Sequence, residues 1–223
     1  HRKIQGRMGM EYRAEVPLKL EVPQEQYVLA LEGRADGIIT NADGVTVDEI
    51  KCMYTDVTRF EEPIFVHKAQ AMCYAYIYAL QNGLDQISVQ LTYCDLDTEE
   101  ICRFEEAFSF FWLERWFQDM MEAYRKWTDF QFAWRKIRQT SIQTLEFPFP
   151  YRDGQRKLVG DVYRTINRKK ILFIQAPTGT GKTISTLFPA IRAIGENLGD
   201  KIFYLTAKTI TRTVAKDTCD LLK

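Results

Sequence analysis

Residues 171–183 read Ile-Leu-Phe-Ile-Gln-Ala-Pro-Thr-Gly-Thr-Gly-Lys-Thr, and this stretch decides the fold of the C-terminal part of the chain. A short apolar run leads into a loop with the spacing GxxxxGK[ST], in which Ala176 stands at the first glycine position. An apolar strand, a Gly-rich loop and then a helix is the order that phosphate binding by backbone amides requires. The sequence therefore predicts a phosphate-binding loop, and that order disfavours the alternative of a chance Gly/Thr turn.

The residue types of the loop suit ATP·Mg²⁺ as a ligand. Gly179 and Gly181 allow the backbone to curl so that its N–H groups point at phosphate oxygens. Lys182 would reach the β- and γ-phosphates, and the Thr183 hydroxyl would bind Mg²⁺. The residues expected to contact the nucleotide are Thr178, Gly179, Thr180, Gly181, Lys182 and Thr183. The helix that follows would direct its positive N-terminal end at the same anion.

The region around the loop predicts one unit of a parallel sheet. Phe147-Pro148-Phe149-Pro150 interrupts the preceding pattern and predicts a boundary between a domain of residues 1–144 and a second of residues 145–223. Beyond it a strand, the loop, a helix and another strand follow one another, which is a βαβ crossover. The predicted elements are a helix at 153–167, a strand at 171–175, a helix at 183–196 that is kinked at Pro189, and a strand at 201–206.

The first hundred residues predict a mixed sheet flanked by helices. Short runs alternate between apolar and polar residues, as strands do, and one longer run has helical periodicity. The predicted strands are 16–22, 27–31, 37–40, 45–50 and 87–93, and the predicted helix is 67–80. Residues 98–139 are rich in aromatic residues. They predict a pair of amphipathic helices whose rings fill a core rather than stack on nucleic-acid bases.

Charge and composition set outer bounds on the function. Residues 1–140 hold 16 Lys and Arg against 23 Asp and Glu, a net −7, whereas residues 141–223 hold 14 against 7, a net +7. A basic C-terminal part suits a polyanion such as nucleic acid. The five cysteines include no CxxC pair, which disfavours a zinc site or a disulfide framework and favours a cytoplasmic setting. No apolar run reaches the roughly 18 residues of a membrane helix, so no membrane partner is expected.

Residues 176–183, Ala-Pro-Thr-Gly-Thr-Gly-Lys-Thr, resemble the AxTGxGKT loop of superfamily 2 helicases. Gln155 lies upstream, where those helicases place a glutamine that contacts adenine. Residues 203–209, Phe-Tyr-Leu-Thr-Ala-Lys-Thr, resemble their motif Ia, which contacts phosphates of single-stranded DNA. Residues 185–189 resemble the helix after the loop in DinG/XPD-like helicases. The resemblance implies a RecA-like parallel-sheet domain with ATP and Mg²⁺ as its ligands.

A second resemblance lies in the acidic N-terminal part. Asp36, followed after a turn by Glu49-x-Lys51, resembles the acid and acid-x-Lys pattern of PD-(D/E)xK nucleases. Gln70 and Tyr74, four residues apart on a helix face, resemble the QxxxY helix of RecB-like nucleases. The resemblance implies a restriction-endonuclease-like mixed sheet in which Asp36 and Glu49 share Mg²⁺ or Mn²⁺. Lys51 would then position water or stabilise the charge of the transition state.

The chain has two histidines, and the resemblance to RecB-like nucleases concerns one of them. RecB-like nucleases have a metal-binding histidine on an upstream helix, and His1 is the candidate for that position. His67 is interpreted instead as a residue at the start of a helix. Because Asp and Glu-x-Lys also occur on solvated hairpins, the alternative to a metal centre is an ordinary charged surface.

Together the two resemblances indicate a bacterial DinG/XPD-type DNA helicase with a fused N-terminal RecB-like nuclease. They imply ATP hydrolysis, cleavage of DNA that is single-stranded or has single-stranded ends, and a role in DNA repair or processing. The chain is expected to be a piece of a longer protein, with the DEAH-type motif, an arginine finger and any iron–sulfur cluster downstream. The alternatives are a first domain that binds DNA without cleaving it, and a P-loop NTPase without a nucleic-acid role.

Overall fold

A computed structural model describes residues 1–207 and 209–223, so Lys208 of the 203–209 segment lies outside the described residues. The chain forms two compact units, residues 1–126 and residues 127–223. The division falls inside the longest helix, which spans Phe110–Gln143. The domain boundary predicted between residues 144 and 145 follows the end of this helix and stays a prediction.

The first unit contains a five-stranded mixed sheet whose strands lie side by side in chain order. The strands are β1 (Tyr12–Pro23), β2 (Val28–Asn41), β3 (Gly44–Met53), β4 (Gln86–Asp95) and β5 (Ile101–Ser109). All neighbours pair antiparallel except β3 and β4, which are parallel. Parallel strands need a crossover connection, and helix α2 (Phe65–Asn82) supplies it, while a short helix α1 (Arg2–Gln5) precedes the sheet.

Most predicted elements of the first unit are confirmed. The strands predicted at 16–22, 45–50 and 87–93 lie within β1, β3 and β4, and the helix predicted at 67–80 lies within α2. The two runs predicted at 27–31 and 37–40 belong to one long strand, β2. The intervening Gly33-Arg34-Ala35-Asp36 therefore continues the strand instead of ending it.

The prediction of two helices over residues 98–139 is wrong. Residues 101–109 form β5, and a single helix, α3 (Phe110–Gln143), follows. Phe104 and Phe108 are four residues apart, a spacing that places them on one face of either a helix or a strand. Strand formation is favoured over a helix here because the backbone groups of β4 need hydrogen-bond partners on both sides, and β3 supplies only one side. Phe104 accordingly pairs with Leu91 of β4.

The aromatic residues of α3 fill a core only near its start. Phe117 is buried and stacks on Tyr76 of α2 with ring centroids 4.3 Å apart. Five other aromatic side chains predicted to fill a core are exposed, which corrects that prediction for Trp112, Tyr124, Trp127, Phe130 and Trp134. A helix of 34 residues is about 50 Å long, whereas only residues in its first turns contact the sheet's core. Among the described residues, no helix has the length and apolar character needed to cross a bilayer.

Strand β3 is held in place by a buried carboxylate. Asp48 has no exposed surface and accepts hydrogen bonds from Tyr12 Oη at 3.1 Å, Gln90 Nε2 at 2.9 Å and Thr92 Oγ1 at 2.6 Å. Tyr12 lies on β1 and reaches β3 by crossing Gly37 of β2, where an added Cβ would lie 2.0 Å from the tyrosine ring. Sequence reasoning did not identify this network, although Asp48 directly precedes Glu49.

The described residues of the second unit form helices, and the prediction of two strands in this unit is wrong. Helices α4 (Gln155–Asn167), α5 (Lys182–Gly195) and α6 (Thr209–Leu221) are present, with Leu187 and Phe188 in a small core. Residues 171–175 and 201–206 form no hydrogen-bonded ladder with any described residue. An apolar run becomes a strand only where a neighbour supplies its hydrogen bonds. Pro189 lies inside α5 as predicted.

Gly37→Ala is expected to lower the free energy of unfolding by about 1–3 kcal/mol, because overpacking displaces a well-packed ring. The new Cβ would lie 2.0 Å from the Tyr12 ring. Gly9→Ala is the matched control, since an added Cβ there meets nothing within 4 Å. Urea unfolding of both variants measures the difference. Equal costs at the two glycines would contradict the close approach of Tyr12.

Candidate metal centre and phosphate-binding loop

Asp36 occupies a gap between the strands of the sheet. The β2–β3 ladder ends at the pair Gly37 and Asp48, and the β1–β2 ladder omits Asp36 as well. In place of a main-chain acceptor, the Oδ2 atom of Asp36 accepts a hydrogen bond from the backbone N–H of Ile50 at 2.8 Å. This bond fixes the Asp36 carboxylate beside β3, where Glu49 lies.

Glu49 is a buried carboxylate that is only partly satisfied. Its side chain is 3% exposed, and its Oε1 atom accepts a hydrogen bond from Lys51 Nζ at 2.8 Å. The Oε2 atom is buried and has no hydrogen-bond partner among residues 1–207 and 209–223. Burial and, to a smaller extent, the charge of Asp36 raise the pKa of Glu49 to about 7 in spite of the opposing effect of Lys51. One oxygen of the carboxyl is thus paired with the Lys51 ammonium, and the other is left without a hydrogen bond.

Lys51 begins a line of hydrogen bonds that leads to helix α2. Its Nζ also donates to Gln70 Oε1 at 3.0 Å, and Gln70 Nε2 donates to Tyr74 Oη at 3.3 Å. The Tyr74 ring packs so closely on Gly33 of β2 that an added Cβ would lie 2.5 Å from it. The structure therefore brings together the predicted residues of β3 and α2.

His1 lies at the exposed edge of this group. Its Nδ1 atom is 3.2 Å from Asp36 Oδ1, and its side chain is partly exposed. Burial raises the pKa of Asp36, while the Ile50 N–H and Lys51 act in the opposite direction. His1, Asp36 and Glu49 are the predicted metal ligands of the first unit.

The described residues supply two carboxylate ligands for a divalent cation, but not a complete set of protein ligands. The oxygen atoms of Asp36 and Glu49 are ligands that Mg²⁺ and Mn²⁺ prefer, and the unpartnered Glu49 Oε2 is a buried site for positive charge. Within the described ranges, no group of three or more His, Cys, Asp or Glu side chains could hold a metal ion. Water or a substrate phosphate would therefore have to complete the coordination, as is usual for Mg²⁺.

The predicted phosphate-binding loop of the second unit has a backbone conformation that depends on its glycines. Gly179 and Gly181 adopt φ of 86° and 72°, and Gly181 is the N-cap of α5. These angles lie in the left-handed region, which glycine adopts without a steric cost. Lys182 opens the helix, and its Nζ donates to the carbonyl oxygens of Ala176 at 2.9 Å and Pro177 at 2.7 Å. The ammonium is therefore folded onto the loop.

Gln155 packs against the loop instead of projecting away from it. Its side chain is buried, with Oε1 accepting from the Arg152 N–H at 3.0 Å and Nε2 donating to the Thr180 carbonyl at 3.5 Å. An added Cβ on Gly181 would lie 2.5 Å from Gln155 Nε2. The guanidinium of Arg152 donates to the Gly179 carbonyl, a contact that sequence reasoning missed.

A cavity of about 340 Å³ lies between α4 and the loop. Its lining includes Asp153, Lys157, Asp161, Gln175, Pro177 and Thr180. This volume is within the range of small-ligand sites, and the lining offers both hydrogen-bond donors and acceptors. Thr183 lies in the first turn of α5, next to Lys182.

Comparisons with known proteins are limited in extent. No protein family model matches the chain. A segment of 47 residues, 21% of this chain, is 40% identical to a protein described as a probable ATP-dependent helicase from Methanocaldococcus jannaschii. The match spans 7% of that relative's length, so it supports a relation to helicases over this segment alone. The crystal structure of SSO0001 aligns with 55% of this chain and 54% of its own at 22% identity, and the TM-score of 0.35 is too low to indicate a shared fold.

The free energy of unfolding of the metal-free chain is expected to fall as the pH rises from about 4.5 to about 7. Over this interval the folded state keeps a proton on Glu49 that the unfolded state has released. The stabilisation is complete below the unfolded pKa and is lost as the pH rises through the folded pKa. Glu49→Gln cannot ionise, so it should flatten this dependence in urea titrations with a chelator present. An unchanged profile in Glu49→Gln would assign the proton to another group.

Proposed function

We propose that the first unit is a metal-dependent DNA nuclease of the RecB-like PD-(D/E)xK type, and that the second is the nucleotide-binding start of a DinG/XPD-like helicase domain. The observation that carries the nuclease proposal is the buried, unpartnered Oε2 of Glu49, a carboxyl whose pKa is raised by burial and, to a smaller extent, by Asp36. A solvated charged hairpin, the alternative, would leave both carboxylates in water.

Asp36 and Glu49 would hold the divalent cation, with His1 at the edge of the site. When bound, the cation supplies an activated water and neutralises the scissile phosphate. The Ile50 N–H orients the Asp36 carboxylate by a hydrogen bond of 2.8 Å. Removing Asp36 would therefore take away both a ligand and the acceptor of the Ile50 N–H, whereas Glu49→Gln would remove a ligand and keep the shape of the side chain.

Lys51 carries the positive charge that faces the substrate. Glu49 and Gln70 hold its ammonium at 2.8 and 3.0 Å, so the side chain is positioned before any substrate binds. A fixed ammonium stabilises negative charge that develops on a phosphoryl oxygen. Tyr74 supports the amide of Gln70 from the next turn of α2.

The second unit would bind ATP·Mg²⁺ at the loop before α5. Lys182 would leave the carbonyls of Ala176 and Pro177 for the β- and γ-phosphates, and Thr183 would bind Mg²⁺. Gln155 stabilises the loop by its hydrogen bond to the Thr180 carbonyl, and the cavity next to Gln155 is large enough for a nucleobase. The net charge of +7 over residues 141–223 suits a DNA partner.

The helicase assignment is favoured over an unrelated P-loop NTPase by the 47-residue match to a probable ATP-dependent helicase. A first unit that binds DNA without cutting it is the other alternative. The set of Asp36, Glu49, Lys51 and Gln70 disfavours it, because a clamp needs no buried carboxylate without a partner. A plasmid-nicking assay with Mg²⁺ or Mn²⁺ distinguishes the two.

Asp36→Ala, Glu49→Gln and Lys51→Ala are each expected to lower the rate of metal-dependent DNA cleavage by about 100-fold or more, as loss of a preorganised charge does. Asp43→Ala is the matched control, because Asp43 is an exposed acid in the turn between β2 and β3. The rate is measured on a labelled single strand. Cutting by Lys51→Ala at the wild-type rate would remove the nuclease assignment.

The unsubstituted chain is expected to bind ATP·Mg²⁺ weakly in calorimetry. Lys182→Ala is expected to abolish this binding. Lys216→Ala, at an exposed position of α6, serves as the control. Hydrolysis should stay at background, because residues 184–223, which follow the loop, contain no adjacent acidic pair of the DEAH type to activate water. ADP release above background, lost in Lys182→Ala, would favour a kinase-like P-loop protein over a helicase.

A further inference from the structure

Helix α2 carries a histidine on the same face as two residues of the metal centre. His67, Gln70 and Tyr74 are three and four residues apart, which places them on one side of the helix. Gln70 accepts a hydrogen bond from Lys51 at 3.0 Å. Lys51 is also close enough to His67 to contribute, after burial, to lowering the pKa of the imidazole. His67 therefore lies on the Lys51 side of the centre.

The hydroxyl of Tyr93 determines which nitrogen of His67 carries the proton. Tyr93 is fully buried, and its oxygen accepts the N–H of Ile64 at 2.9 Å. Among the described residues, the acceptor for its own proton is His67 Nδ1, 3.2 Å away. A buried hydroxyl proton without an acceptor would cost about 1–3 kcal/mol. Nδ1 therefore accepts, and the neutral imidazole has its proton on Nε2.

The Nε2–H group is a donor that the first unit does not use. The ring is only partly buried, and the hydrogen bond that the described residues make to it involves Nδ1. The ring of Tyr93 lies 5.8 Å from that of His67 between centroids, so the imidazole is oriented from one side. A fixed N–H donor next to an ammonium suits the oxygens of a nucleic-acid backbone.

We propose that His67 is a substrate-binding residue whose Nε2–H donates a hydrogen bond to a phosphodiester oxygen of the strand held at the Asp36–Glu49 centre. This proposal rests on the nuclease function proposed above. Lys51 supplies the charge, His67 supplies a directed hydrogen bond, and Tyr93 orients the ring. The interpretation of His67 as a residue at the start of a helix is confirmed, and the substrate contact is added to it.

Two amide substitutions separate this role from a structural one. In His67→Gln the amide N–H takes the place of Nε2–H, whereas in His67→Asn the amide takes the place of Nδ1 and reaches only Tyr93. The affinity for a labelled single-stranded oligonucleotide is measured by fluorescence anisotropy with Ca²⁺ as the cation. His67→Ala and His67→Asn are expected to weaken binding about fivefold, and His67→Gln to stay within about twofold of the unsubstituted chain.

The outcomes distinguish this proposal from the nuclease function. Unchanged binding by His67→Asn with weak binding by His67→Gln would assign His67 to the support of Tyr93 and overturn the proposal. Unchanged binding by all three variants, or no binding by the unsubstituted chain, would also overturn it. In cleavage assays with Mn²⁺, His67→Ala should raise KM more than it lowers kcat. His67-dependent binding without any cleavage would reject the nuclease function and retain the contact.

Discussion

The buried carboxylate of Asp48 is the constraint on which the first unit depends. A carboxylate removed from water is tolerated only where hydrogen bonds replace its hydration, and Asp48 has three, from side chains on β1 and β4. These bonds are compatible with one register of β3. A slip of one residue would exchange the faces of Asp48 and Glu49. The network on one face of the sheet thereby places Glu49 and Lys51 on the other.

Two glycines in β2 make room for this arrangement. Gly37 lies under Tyr12, which crosses β2 to reach Asp48, and Gly33 lies under Tyr74, which supports Gln70. Between them, Asp36 is omitted from both ladders. The candidate metal centre thus lies where the regular pairing of the sheet is interrupted, and the two glycines that flank Asp36 have packing roles beside the chemical role proposed for Asp36.

Local patterns predicted the parts of this fold whose partners are close in sequence. The alternation in β1 to β4 and the helical run of α2 are confirmed, and the loop before α5 precedes a helix as predicted. Glu49, Lys51 and Gln70, which the sequence groups together, are joined by hydrogen bonds, and their catalytic role stays a prediction. The β5 strand was missed because Phe104 and Phe108 fit either periodicity. Tyr12 and Tyr93 were missed because a hydrogen bond between distant residues leaves no spacing in the sequence. The runs at 171–175 and 201–206 were predicted as strands from apolarity, which does not reveal whether a neighbour exists.

The intrinsic tryptophan fluorescence of the protein comes entirely from helix α3. All four tryptophans, Trp112, Trp116, Trp127 and Trp134, belong to this one helix. Trp116 packs against the sheet's core, whereas Trp112, Trp127 and Trp134 are 48%, 64% and 53% exposed. Intrinsic emission is consequently dominated by solvated indoles and is accessible to aqueous quenchers. Its spectrum reports on a single element of the molecule, so melting of the sheet would be registered through Trp116, whereas Trp127 and Trp134 belong to the second unit.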